Sequence, residues 1–102
     1  MIIDKDIKVS DLTESLNKFW EFAGDKALLL DKMYDTSKGS PVFTVNGEYT
    51  TRGWTEWTQG FQYGIPLLVA EATGNKDLLE LGKQYTVENM SHHLSHFGVH
   101  DH

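Results

Sequence analysis

"WTQGFQYGIPLLVAEATGNKDLLELGKQYT", residues 57–86, decides the fold. Its first half is apolar over most of a helical circumference, the pattern of a helix buried on several sides. The spacing predicts a helix over about 58–73. Pro66 belongs in its first turns or makes a kink, because proline takes one donor out of the hydrogen-bond ladder. Gly74 suits the left-handed residue that ends a helix. Asn75 then starts a third helix over about 75–94, with Leu78, Leu81, Tyr85 and Asn89 or Met90 on its inward face. A joint this tight makes the two helices antiparallel neighbours.

Upstream, Leu12, Leu16, Phe19, Trp20, Ala23, Ala27, Leu30 and Tyr34 recur at spacings of three and four. They form one apolar stripe of a helix over about 11–35, with Asp11 as cap and Glu14 three positions on. At about 1.5 Å per residue this helix is about 35 Å long. Glu14, Glu21, Asp25 and Asp31 read as its solvated face. Between the two helical regions lies a connection of more than 20 residues. It is too long for a plain loop in a compact domain, and its aromatics Phe43, Tyr49, Trp54 and Trp57 speak against disorder. "VFTV" and "EYTT" flank Asn46-Gly47, a two-residue hairpin signal.

The 102-residue chain holds one domain or part of one. Hydrophobic residues make up 39% of it, enough for a globular core. The net charge is −6, and the nine basic residues are scattered. Such a chain has no electrostatic footprint for nucleic acid or an anionic membrane surface. With no cysteine, disulfides, thiolate nucleophiles and thiolate-bound zinc are excluded. No apolar run is long enough to span a bilayer, and the start of the chain lacks the pattern of a secretion signal. A soluble protein, cytoplasmic or periplasmic, is the expectation.

The chain closes on "HHLSHFGVHDH", residues 92–102, which holds all five histidines. His92 and His96 are four apart, as are His96 and His100, a spacing that can serve zinc. The His-Glu-x-x-His pattern is missing, and Gly98 ends the helix before His100. No metal or other cofactor is expected. His92, His93 and His96 read as a polar helix end, where cationic side chains suit the helix dipole.

Three short motifs follow one another in order: Trp57-Thr58-Gln59-Gly60-Phe61, then Ala70-Glu71-Ala72-Thr73-Gly74, then His100-Asp101-His102. In order and spacing, residues 54–102 resemble the N-terminal part of unsaturated glucuronyl hydrolases, glycoside hydrolase family 88. The first helix joins this resemblance only by its placement. The resemblance implies an all-α chain, the opening helices of an (α/α)6 barrel, with one long aromatic-rich loop or small hairpin. It also implies that residues 1–102 are the N-terminal part of a single catalytic domain that is several times longer.

The implied activity is removal of a 4,5-unsaturated uronic acid from oligosaccharides released by polysaccharide lyases. The double bond is hydrated, the sugar ring opens and the remaining saccharide leaves. Carried over by position, Asp101 is one of two catalytic aspartates, His100 its neighbour at the site, and Trp57 the aromatic at the unsaturated sugar. The second aspartate has no counterpart in residues 1–102, so the isolated chain is expected to be inactive. The chemistry suits a carboxyl whose pKa is raised by burial and a neighbouring carboxylate, and an indole offers a flat face to a sugar ring. The plain alternatives are a solvated acid at Asp101, an exposed histidine at His100 and a core tryptophan at Trp57. Two other functions fit the same helices: a polysaccharide lyase on a similar toroid, or a non-catalytic helical binding or scaffold domain.

Overall fold

A computed structural model describes residues 4–51 and 57–94, the side chain of His92 excepted. It is mostly helical: helix α1 (Thr13–Met33), strands β1 (Phe43–Val45) and β2 (Glu48–Thr50), and helices α2 (Thr58–Thr73) and α3 (Lys76–Asn89). Short 3-10 turns precede α1 at 9–12, follow it at 36–38 and extend α3 over 90–94.

The α2–α3 joint is built as its sequence predicts. Gly74 sits at φ +74°, a conformation that costs other residues a clash at Cβ, and its N–H donates to the Ala70 carbonyl at 2.8 Å. The Asn75 side-chain oxygen then accepts from the Leu78 N–H at 3.1 Å, capping α3. Farther along, Gly82 lets the helices touch. A Cβ there would come within 2.7 Å of the Leu67 Cγ, so any side chain forces α2 and α3 apart.

Helix α1 crosses the pair at Gly24, where a Cβ would lie 3.3 Å from Val69 and 3.4 Å from Leu78. Seven residues on, Asp31 accepts a hydrogen bond from the Tyr85 hydroxyl. These two contacts make α1 parallel to α3 and antiparallel to α2. The apolar core is Val69, Ala70 and Leu78, with Trp20, Ala23, Ala27, Leu28, Leu79 and Leu81 packed around it.

Several expectations are corrected. Asp11 is not the cap of α1. It lies in the 3-10 turn before the helix, and its carboxylate accepts from the Lys8 N–H at 2.8 Å. The amphipathic stripe is only partly used: Leu12, Leu16 and Phe19 are exposed, because α2 and α3 meet α1 only from Trp20 onward. Asp31 is half-buried against Tyr85 rather than solvated. Pro66 is the ninth residue of α2 rather than part of its first turns, and it is buried. The third helix is α-helical only to Asn89 and then tightens to a 3-10 turn.

The hairpin forms in the expected register, with Phe43 opposite Thr50 and Val45 opposite Glu48. Asn46 (φ 53°) and Gly47 (φ 82°) supply the two positive dihedrals of its turn. Tyr49 of β2 meets Tyr34 edge-on, with ring centroids 6.2 Å apart, which seats the hairpin at the C-terminal end of α1.

Candidate functional site

The antiparallel packing brings the start of α2, the ends of α1 and α3, and the 90–94 turn to one end of the bundle. Several polar side chains meet there. Tyr63 is buried and stacks on Tyr85, with centroids 5.4 Å apart and planes 29° apart. The Tyr85 hydroxyl donates to Asp31. Gln59, 4% exposed, holds its side-chain oxygen against Nε2 of His93. With an oxygen as partner, Nε2 carries the proton.

This end also holds polar atoms with no hydrogen-bond partner among the described residues. The Tyr63 hydroxyl, the Thr58 hydroxyl and the Gln62 side-chain oxygen, all on the first half of α2, are shielded from solvent and unpaired, as is the Ser40 hydroxyl. Buried polar groups are nearly always paired in proteins, so these four atoms stand out among the described residues.

Two phenols here, Tyr85 and Tyr34, are raised above their ordinary value. Tyr85 is pushed up to about 12, first by its hydrogen bond to Asp31 and then by burial. Tyr34 is raised by burial and by the neighbouring Asp35 carboxylate. Asp35 itself is held below the usual carboxylate range by the hydroxyl and N–H of Ser37. The end of the bundle therefore gathers phenol, imidazole, amide and carboxylate groups, with Tyr85 bonded to Asp31 and His93 to Gln59.

Of the residues named from sequence, Trp57 lies at the N-terminal boundary of α2 and is 47% exposed. Its ring meets Phe61 edge-on at 5.6 Å. His100 and Asp101, with Trp54 and His96, lie outside the described residues. The described chain ends at Leu94, next to His93.

Gln59, Tyr63, Asp31 and His93 were not singled out from sequence as site residues. A signal was present for two of them: Gln59 and Tyr63 share a helical stripe with Pro66 and Ala70, which are buried. A glutamine on such a stripe needs a buried partner. For His93 nothing local betrays that its partner is 34 residues away.

Among the described residues no group of three or more histidine or acidic side chains is arranged to hold a metal ion. No helix among them is long and apolar enough to cross a membrane. An open groove of about 600 Å³ lies at the opposite end, lined by Trp20, Glu21, Asp25, Leu28 and Asn75 among others, and Trp57 is not part of it. Compared with family models, with curated proteins and with solved structures, the chain matches none.

Proposed function

We propose that this chain is the opening part of a carbohydrate-active α/α-barrel hydrolase of the unsaturated glucuronyl hydrolase type. The observation that carries the proposal is the surface of α2. One side, with Tyr63, Pro66, Val69 and Ala70, is buried against the rest of the chain. The other side presents Phe61 (63% exposed), Ile65 and Leu68 (58% exposed), with Trp57 one turn before Phe61. A helix apolar on two opposite sides, with an aromatic at its mouth, is what an inner barrel helix needs: it is covered by neighbours on both sides and opens on a sugar site at one end.

In this proposal Trp57 provides the apolar face on which the unsaturated uronate stacks. Asp101 is a site carboxyl for protonating the double bond and activating water, and His100 is its polar neighbour. A second carboxyl, which would raise the first by like charge, has no counterpart in residues 1–102. The 102-residue chain therefore binds the sugar without turning it over.

The test is calorimetric titration with a disaccharide bearing a 4,5-unsaturated uronic acid, alongside its saturated counterpart. Binding that prefers the unsaturated sugar is expected. Trp57→Ala weakens it about tenfold, equivalent to about 1.4 kcal/mol. Equal affinity of Trp57→Ala and the unaltered chain overturns the role of Trp57. A non-catalytic scaffold would bury the same face of α2 with a partner and show no preference between the two sugars.

A further inference from the structure

The hairpin turn carries a reactive pair that the helical bundle does not use. An asparagine followed by glycine can close a ring on its own backbone, because glycine has no side chain to shield the attacking nitrogen. Of the four asparagines only Asn46 precedes a glycine; Asn17 and Asn75 precede lysine, and Asn89 precedes methionine. Those three belong to helices or a helix cap. The Asn75 side chain accepts from the Leu78 N–H, and Asn89 donates to the Tyr85 carbonyl. Asn46 and Gly47 are both exposed, and a Cβ built on Gly47 would meet open space.

The folded turn works against ring closure. Asn46 at φ 53° and Gly47 at φ 82° are the two left-handed residues of a type I′ hairpin turn. That turn holds ψ of its first residue at about +30°, which puts the Gly47 nitrogen on the far side of the Cα–C bond from the Asn46 side chain. The reaction therefore waits for the hairpin to open. Each strand has three residues, and Phe43, Val45 and Tyr49 are exposed. A two-stranded hairpin is marginal by itself, and such units open locally at small free energy. The edge-on contact of Tyr49 with Tyr34 is one of the contacts that hold it against α1.

We propose that Asn46 is a deamidation site whose rate is set by release of the hairpin from Tyr34. The Gly47 nitrogen attacks Cγ of Asn46 and a new N–Cγ bond forms. The Cγ–Nδ2 bond breaks, and ammonia leaves with the proton that the Gly47 nitrogen gave up. Water then opens the cyclic imide at either of its carbonyls, giving an aspartate or, with the chain rerouted through Cβ, an isoaspartate at position 46. The isoaspartate lengthens the turn by one backbone atom, which breaks the pairing of Val45 with Glu48 and of Phe43 with Thr50. Either product adds a negative charge two residues from Glu48, on a chain already at −6. The site stands whether or not the chain binds a sugar.

The test ages the unaltered chain, Tyr49→Ala, Tyr49→Phe and the unaltered chain in urea, all in warm, mildly alkaline buffer. Conversion at each asparagine is followed by mass spectrometry of proteolytic peptides. Tyr49 lies outside the apolar core, so the amide signals of Val69 and Leu78 should stay in place in both variants. Conversion is expected at Asn46 ahead of the other three asparagines, and fastest in urea. Tyr49→Ala should convert about fivefold faster than the unaltered chain, the effect of losing one aromatic pair. Tyr49→Phe, which keeps the ring, should match the unaltered chain. Equal rates in Tyr49→Ala and the unaltered chain, or equal rates in the two variants, overturn control by the hairpin. Conversion at Asn17, Asn75 or Asn89 as fast as at Asn46, or none at Asn46 in the folded chain while urea permits it, overturns the site.

Discussion

The two ends of this helical bundle are held by different forces. At the Gly74 end, Val69, Ala70 and Leu78 pack against Trp20, Ala23 and Leu28, and Asn75 and Gly74 satisfy the helix termini. At the Trp57 end the contacts are polar: Asp31 with Tyr85, Gln59 with His93, and hydroxyls on Thr58, Tyr63 and Ser40 with no partner among the described residues. Apolar packing scales with area and tolerates imprecise geometry, whereas buried polar pairs are directional and costly when incomplete. The first end carries stability. The second relies on directional pairs between residues distant in sequence.

Mutations separate the ends, and the largest effect belongs to the apolar one. Leu78→Ala empties a buried site in the centre of the core and is expected to cost about 3 kcal/mol, seen as a lower midpoint in urea unfolding. Affinity for the sugar, measured where the protein is still folded, should not change.

Tyr85→Phe is a smaller lesion at the polar end. It removes one hydrogen bond to a carboxylate and should cost about 1–2 kcal/mol. It also carries a pH signature. The pKa of Tyr85 is raised in the folded protein, from 10.0 to about 12. The associated stability is therefore fully present below pH 10, the unfolded value, and is lost as pH rises through about 12. Unfolding midpoints measured across that alkaline range should fall in the unaltered chain and fall less steeply in Tyr85→Phe. Equal slopes would show that the phenol is not engaged by Asp31.

Asn75→Ala should have the least effect of the three, about 1 kcal/mol, because it removes a single cap. It tests whether the joint at Gly74 is as local as it looks: the signals of Trp57 and Gln59 should not move.

The apolar end was the more legible in the sequence. Gly74, Asn75 and the stripe through Leu78 and Leu81 follow local rules, and the joint and the start of α3 form where those rules put them; the hairpin at Asn46-Gly47, at the other end, is equally local and forms as expected. The polar end was less legible because its defining contacts are long-range. Asp31 looked like one more acid on a solvated face until Tyr85, 54 residues away, came against it. His93 looked like part of a polar tail until Gln59 met it. Gly82 gave no signal either, since only the approach of Leu67 shows why a side chain is excluded there. Trp57 was readable as a candidate by its motif, and its half-exposed place at the start of α2 is compatible with that role.

The central claim is that the polar end is the working end. Titrating an unsaturated uronyl disaccharide into the isotope-labelled chain and following every amide tests it most directly. Saturable shifts confined to Trp57, Gln59, Tyr63, His93, His100 and Asp101, with Val69, Asn75 and Leu78 unmoved, are the predicted result. Shifts centred on the groove of Trp20, Asp25 and Asn75, or no shifts at all, would contradict it.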